Sequence, residues 1–294
     1  MDKKDINNTD LIDIIEITDP TDPTTVPAKK KRKRLTFGDY IRFFIMAVAL
    51  CVFVYSASML LHIYLEYKKG TDIYKSIAGE VLKPIDKNES ESSNLSPDGE
   101  AQLPFKYDHQ ALLNINPEGV GYIYIPSIGV QLPVVQGPDN EYYLTHTFNR
   151  VYNGSGAIFE DFRCLGGLKS NNVIIYGHNM KNGSMFAGLH RYLTPSFYST
   201  PGNDIFYIYT ENKVMEYRIF SVYISEPISD TYNCNFASLP DLRAYAANMN
   251  RLSAYSTGVD ITNTTQIVTL STCTGDGEQR VIVQGTYIGE TPLQ

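Results

Sequence analysis

Cysteine is scarce in this chain of 294 residues, and its four cysteines are far apart. They lie at positions 51, 164, 234 and 273, so no two of them have the CxxC spacing of zinc sites and redox motifs. The sequence therefore indicates neither a structural zinc site nor a disulfide framework. Cys164 and Cys234 would pair only if the fold brought them together, and two free thiols are the simpler interpretation.

Positive charge is also limited, because the formal net charge is −7. A nucleic-acid-binding surface needs a basic face, so no nucleic-acid partner is expected. The basic residues are concentrated at residues 29–34, a run that in isolation would resemble a nuclear-localisation or nucleic-acid patch. Tryptophan is absent, but 22 tyrosines and 43% apolar residues are ample for a globular core.

A long apolar run follows the basic run and changes its meaning. Residues 43–65 carry no formal charge, and a helix of that length spans ~34 Å, enough to cross a ~30 Å hydrocarbon core. We expect one uncleaved transmembrane signal-anchor helix there. A cleaved signal peptide is the alternative, which the length of the run and the lack of a clear A-x-A site disfavour. The basic flank predicts a cytoplasmic N-terminus and an extracytoplasmic C-terminal region in a single-pass membrane protein.

The rest of the chain divides by composition. Residues 1–42 are predicted to form a cytoplasmic disordered tail that ends in the basic flank. Residues 66–104 are predicted to be an extracytoplasmic stalk, in which 66–83 can continue the helix and the Ser-, Asn- and Glu-rich segment 86–102 is a linker. The folded catalytic domain is expected over residues 105–294.

Short strands dominate the expected folded domain. Segments rich in β-branched and aromatic residues predict eight strands, at 121–125, 130–135, 156–160, 173–176, 204–209, 214–224, 266–272 and 280–288. Helices are expected at 107–114, 185–193 and 239–253, the last with an apolar stripe that we interpret as a core-packing face. Many strands with few helices indicate a sandwich or a closed barrel rather than a parallel βαβ sheet.

The strongest functional signal is the segment TLSTCTGDGEQR near the C-terminus. One predicted strand delivers Cys273 to its end, turn residues follow, and the next strand begins at Arg280. Upstream, another apolar strand ends in a Gly-His pair at His178. A thiol nucleophile needs a partner that exchanges its proton, and His is the side chain whose pKa lies in range. Arg280 keeps its proton and is suited to act as a fixed donor to an oxyanion or to substrate carbonyls.

These motifs resemble those of the sortases, the cysteine transpeptidases of Gram-positive bacterial surfaces. Five blocks resemble class B sortases in order and spacing: LLNINPEGVGYIYIP, VVQGPDNEYYL, GAIFEDFR, VIIYGHNMKNGSMFAGL and TLSTC with the following Arg. The resemblance implies a mainly β fold, an eight-stranded β-barrel with peripheral helices. It also implies a thiol enzyme that uses Cys273, His178 and Arg280 with no metal and no organic cofactor.

The resemblance further implies the substrates. A secreted surface protein would be cleaved after Thr in a C-terminal sorting signal, NPQTN-like or LPXTG-like, through a thioester acyl-enzyme. The acyl group would pass to the amine of a lipid-linked peptidoglycan precursor at the membrane, which anchors the protein to the cell wall.

Substrate-binding candidates come from the same resemblance. The positions that match class B substrate contacts are Asn140, Leu144, Tyr232 and Ser271. The residues alone leave an alternative open for three of them. Asn140 equally suits a turn residue, Leu144 a core residue, and Ser271 a residue that only completes the strand. The loop from Cys273 to Arg280 is short for class B, so the guanidinium must reach the site from a tight turn.

Three other functions fit parts of the sequence. A pilin-polymerising sortase would use the same site with a lysine acceptor. A papain-like peptidoglycan hydrolase is disfavoured, because there Cys precedes His, whereas here His178 precedes Cys273. A non-catalytic, surface-tethered β-barrel binding module would leave Cys273 no more reactive than the other thiols. His109, His146 and His190 lie outside Gly-His strand ends, and we interpret them as surface or packing residues.

Overall fold

The N-terminal helix contains the apolar run. The computed structural model describes residues 36–84 and 104–293, and the chain divides into two compact units, residues 1–56 and 57–294. Helix α1 (Phe37–Val81) begins after Thr36, whose backbone N–H and hydroxyl both donate to the carboxylate of Asp39. Its most apolar 18-residue window has a mean hydropathy of 2.4, and none of that window is buried. The helix is therefore long and apolar enough to cross a membrane. Of the disordered tail predicted over residues 1–42, residues 1–35 lie outside the described residues, and residues 37–42 instead form the first turns of α1.

The second unit is built mainly from strands. Two short strands, β1 (Leu82–Pro84) and β2 (Phe105–Tyr107), pair with each other. The other strands are β3 (Gly119–Ile125), β4 (Val130–Val135), β5 (Ile158–Glu160), β6 (Asn172–Tyr176), β7 (Ile205–Tyr209), β8 (Lys213–Ser225), β9 (Ile267–Cys273) and β10 (Arg280–Pro292). The part of this unit that the structure describes has three further α-helices, α2 (His109–Ile115), α3 (Pro195–Tyr198) and α4 (Leu239–Leu252). Short 3-10 helices lie at Pro126–Ile128, Tyr142–Leu144, Gly167–Lys169, Ala187–Leu193 and Asp230–Tyr232.

The eight strands β3 to β10 close into a barrel. Their order around the barrel is β10-β8-β7-β3-β4-β5-β6-β9, and β9 pairs with β10 to complete it. The β4–β5 and β6–β9 pairs are parallel, whereas the other neighbours are antiparallel. The predicted eight-stranded barrel with peripheral helices is therefore confirmed, and all eight predicted strands are present.

Helix α4 covers part of the outside of the barrel. Ser238 caps its N-terminus by accepting a hydrogen bond from the backbone N–H of Asp241. Leu242, Tyr245 and Met249 are buried in one cluster with strand residues such as Ile174, Phe220 and Ile282. The apolar stripe predicted on this helix is thus a core-packing face, which fixes the segment just before β9.

The structure differs from the expected stalk over residues 66–84. Gly70, Tyr74, Ile77 and Val81 recur at helical spacing on α1 and are buried. The Tyr74 hydroxyl donates to the carbonyl of Gly156 over 2.6 Å and accepts from the backbone N–H of Phe148 over 3.2 Å. This end of α1 and the β1 strand that follows it therefore belong to the folded unit, because the helix has an apolar face that the barrel covers. The linker predicted at 86–102 lies outside the described residues.

Candidate active site

Cys273 and Arg280 face each other across one strand pair. Cys273 ends β9, Arg280 begins β10, and the two residues are direct partners in the antiparallel register. Directly opposed residues share one face of a sheet, with Cβ atoms ~4.5–5.5 Å apart. The Arg280 Nη1 atom donates to the carbonyls of Gly277 and Gln279, each over 2.9 Å. The short turn thus places the two residues opposite each other, with the guanidinium hydrogen-bonded to carbonyls of the turn itself.

His178 reaches the same end of the barrel from β6. The parallel β6–β9 register pairs Tyr176 with Ser271, so His178 and Cys273 each lie two residues beyond that pair. Gly177 precedes the histidine. The backbone N–H of Gly177 donates to the carbonyl of Ser271 over 3.1 Å. A Cβ atom at Gly177 would lie 2.7 Å from Cγ of Phe186, so only glycine fits at this position.

The His178 side chain has a partner other than the thiol. Its Nε2 atom lies 2.7 Å from the carbonyl oxygen of Leu144. A carbonyl only accepts hydrogen bonds, so Nε2 carries a hydrogen in this arrangement. The histidine is half-buried, and its ring is held against the loop that follows β4.

All seven predicted site residues line one cleft. The cleft has a volume of about 240 Å³, and the seven residues are His178, Cys273, Arg280, Asn140, Leu144, Tyr232 and Ser271. Residues separated by more than a hundred positions in the chain thus meet at one end of the barrel. Their roles in binding and catalysis stay predictions, but their juxtaposition is a property of the fold.

The four substrate-binding candidates differ in how they are held. Leu144 is 39% exposed, which argues against a role in the core. Ser271 is buried, and its Oγ lies 3.0 Å from the hydroxyl of Tyr232. The side-chain oxygen of Asn140 accepts from the backbone N–H of Phe162 over 3.1 Å. Burial raises the pKa of Tyr232, while the Ser271 hydrogen bond and the positive charge of Arg280 act in the opposite direction.

An ion pair supports the wall of the cleft behind Tyr232. The ring of Tyr176 stacks on Tyr232 with a centroid distance of 5.9 Å, and its hydroxyl donates to Asp161 over 2.8 Å. Arg163 donates to the same carboxylate over 2.6 Å. Burial acts to raise the pKa of Asp161, but hydrogen bonds from Arg163, Tyr176 and Asn140 outweigh it and hold that pKa below its ordinary value. Sequence reasoning did not assign this network, although Asp161 and Arg163 lie in the GAIFEDFR block.

A second histidine also contacts the end of β9. The Nε2 atom of His190 lies 3.0 Å from the backbone carbonyl oxygen of Cys273. The interpretation of His190 as a surface or packing residue therefore missed a specific contact with the site. No sequence signal marks it, because the contact depends on how the 3-10 helix Ala187–Leu193 docks beside the end of β9.

Metal ligands are not grouped in the described part of the chain. Within residues 36–84 and 104–293, no cluster of three or more His, Cys, Asp or Glu side chains is placed to hold an ion. The arrangement instead offers a thiol, an imidazole and a guanidinium in one cleft. These groups suit nucleophilic attack on a carbonyl with proton transfer and oxyanion stabilisation.

Comparison with known proteins agrees with this geometry. The sortase domain family model matches residues 123–288. Sortase B of Listeria monocytogenes is 29% identical over 231 residues, which cover 76% of this chain and 90% of that protein. The structure of Clostridium perfringens sortase B is 31% identical with a TM-score of 0.57 and covers 62% of this chain and 100% of its own. A Staphylococcus aureus sortase B–substrate complex is 26% identical with a TM-score of 0.60 and covers 76% of this chain and 98% of its own.

The chain belongs to the sortase family, and its relatives place it in class B. It is accordingly a cysteine transpeptidase, an enzyme class that acts on sorting-signal substrates and amine nucleophiles.

Proposed function

We propose that this sortase is a single-pass membrane enzyme that anchors secreted surface proteins to the cell wall. The observation that carries the proposal is the convergence of Cys273, His178 and Arg280 in one cleft at the end of the barrel. The enzyme cleaves a C-terminal sorting signal, NPQTN-like or LPXTG-like, after its Thr. It then joins the new carboxyl end to the amine of a peptidoglycan precursor.

The first half-reaction forms the acyl-enzyme. The Cys273 thiol gives its proton to His178, and the resulting thiolate attacks the carbonyl carbon of the Thr residue, whose oxygen becomes an oxyanion that accepts hydrogen bonds from Arg280. His178 gives a proton to the departing amide nitrogen, so the C–N bond breaks and a thioester remains on Cys273. For this step Nε2 of His178 must leave the Leu144 carbonyl and reach the leaving group, which requires a rotation of the side chain.

The second half-reaction releases the product. The acceptor amine transfers a proton to His178 as its nitrogen attacks the thioester carbonyl, and Arg280 again stabilises the oxyanion. The C–S bond then breaks, so Cys273 leaves as a thiolate and a new amide bond forms. Asn140, Leu144, Tyr232 and Ser271 bind the signal, because they line the same cleft beside the thiol.

The membrane location rests on α1. Its apolar segment, with the basic run before it, supports a cytoplasmic N-terminus and an extracytoplasmic barrel. A secreted substrate and a lipid-linked acceptor would both be present on that side.

The test uses the full chain in detergent with NPQTN-like and LPXTG-like peptides. Intact mass is followed with no amine, with triglycine, and with a peptide that offers a lysine side-chain amine. We expect an adduct on Cys273 that the amine converts to a ligated peptide, and no adduct in Cys273→Ala. Absence of any adduct in the wild-type enzyme would refute the proposal, and ligation to lysine alone would favour pilin polymerisation.

A further inference from the structure

Among the described residues, no strand pairs with one side of β9 at Cys273, the last residue of that strand. The β6–β9 register ends at Tyr176 and Ser271, and the Ser271 carbonyl accepts from the backbone N–H of Gly177 on that side. Carbonyl directions alternate along a strand, so the Cys273 carbonyl, two residues later, faces the same side. At that level β6 has ended, because its last residue is Tyr176. The Nε2 atom of His190, 3.0 Å from that oxygen, occupies the place of the missing strand partner.

His190 is mounted on a well-fixed segment. The 3-10 helix Ala187–Leu193 follows Phe186, whose backbone N–H donates to the carbonyl of His178 over 3.0 Å. On either side of His190, Leu189 and Tyr192 are buried. The Tyr192 hydroxyl lies 2.6 Å from Oγ of Ser127. The imidazole therefore links the segment that carries the catalytic histidine to the strand that carries the thiol.

We propose that His190 is a positioning residue for the nucleophile: its Nε2–H donates to the Cys273 carbonyl and holds the last residue of β9 in place. The acceptor is a carbonyl, so the hydrogen resides on Nε2. The inference concerns the same cleft and rests on the proposed function for its kinetic consequence, whereas its structural consequence stands independently.

Loss of this bond acts on the reaction more than on binding. The carbonyl and the thiol belong to the same residue, so freeing the carbonyl lets the sulfur depart from its reactive position. Small displacements of reacting atoms lower rates steeply, whereas the residues proposed to bind the signal lie elsewhere in the cleft. The expected signature is a lower kcat with an unchanged KM.

The experiment compares His190→Leu with His190→Gln in the full-length enzyme. Leu removes the donor, whereas the Gln amide nitrogen reaches the position of Nε2. We expect His190→Leu to lower kcat roughly 5- to 10-fold with KM within about twofold, and His190→Gln to restore kcat to within about twofold of wild type. His109→Leu is the matched control, because His109 is also half-buried with one side-chain partner, the Tyr107 hydroxyl.

Hydrogen–deuterium exchange of the peptide containing Cys273 provides a readout that needs no substrate. Exchange should be roughly 5- to 10-fold faster in His190→Leu, but not in His190→Gln or His109→Leu. Unchanged exchange and kcat in a folded His190→Leu would overturn the inference, as would equal losses in the Leu and Gln variants. If His190→Leu fails to fold, His190→Asn, whose amide is too short to reach, replaces it. A wild-type enzyme inactive on every peptide would refute the proposed function, and the exchange data would still decide the role of His190.

Discussion

Glu160 is a buried acid with no partner among the described residues. It ends β5, its side chain is fully buried, and neither carboxylate oxygen has a hydrogen-bond partner. Its strand partner is Ile175, which packs in the core cluster. Burial, reinforced by the negative charge of Asp161, raises the pKa of Glu160 from 4.5 to about 8. The side chain is therefore protonated in the folded protein at neutral pH.

This buried acid makes stability depend on pH. The folded state keeps its proton up to a pKa of about 8, whereas the unfolded state loses it near 4.5. Because the folded state binds more protons between these values, the group's contribution is full below pH 4.5 and is lost as pH rises. From pH 5 to pH 8 the free energy of unfolding should fall by about 3 kcal/mol from this group. Glu160→Gln should remove that slope in chemical denaturation, and an unchanged slope would contradict the raised pKa of Glu160.

We predict that Arg280 acts on the reaction through a fixed geometry as well as a charge. Its Nη1 atom alone donates to the carbonyls of Gly277 and Gln279, so a donor to the oxyanion would have to be Nη2 or Nε of the same rigid, planar group. We expect Arg280→Ala to lower kcat by roughly 10²- to 10³-fold, the usual effect of removing an oxyanion donor. Arg280→Lys should recover little, because the single nitrogen of an ammonium cannot lie at the position of Nη1 beside the two carbonyls and also at the position of Nη2 or Nε. Transfer rates with a saturating peptide measure this, and full activity of the Lys variant would show that charge alone suffices.

The core of the site was predictable from the sequence, but its support was not. The sequence marks all three positions locally. An apolar run precedes Cys273 and another precedes His178, and turn residues separate Cys273 from Arg280. His190 and Asp161 act through contacts made only after the barrel closes. Local sequence carries no trace of a hydrogen bond between a 3-10 helix and the carbonyl of a distant strand.

Among the elements, the C-terminal part of α1, residues 66–81, differs most from the sequence-based expectation. All eight barrel strands were predicted, because β-branched residues and turn residues mark them locally. The docking of α1 was not, because its face at Gly70, Tyr74, Ile77 and Val81 becomes meaningful only beside the loop that ends at Gly156. A Cβ atom at Gly70 would lie 2.7 Å from Oγ of Ser155, which shows how closely the two segments approach.

The Tyr74 hydroxyl should account for part of the stability of this contact. Tyr74→Phe leaves the Gly156 carbonyl and the Phe148 N–H without that partner in a buried place. We expect a loss of ~2 kcal/mol in the free energy of unfolding, and a decrease of ~4–8 °C in Tm. Thermal unfolding of the full chain measures it, with Tyr64→Phe as the control because Tyr64 is 62% exposed. Equal melting temperatures for the two variants would contradict this role of the hydroxyl.

At the scale of the whole molecule, the folded unit is larger than the barrel. A fragment that starts at residue 105 lacks Tyr74, Ile77 and Val81, all buried in the main core cluster. Burial of each such side chain is worth ~1.5–3 kcal/mol as an upper estimate, so the fragment should lose up to roughly 4–9 kcal/mol. Thermal unfolding of fragments 66–294 and 105–294 tests this expectation. A melting temperature that does not fall in the shorter fragment would show that α1 rests on the barrel without stabilising it.

Because Cys273 and Arg280 are direct partners in the strand pair, their relative position does not depend on the length of the turn that joins β9 to β10. Residues inserted at the tip, near Gly277, extend the ribbon beyond the pair and leave both side chains on their shared face. One residue inserted within β9 or β10 instead turns every later side chain to the opposite face. Evolution can therefore lengthen this tip and change its contacts while the relative position of the Cys273 thiol and the Arg280 side chain is kept.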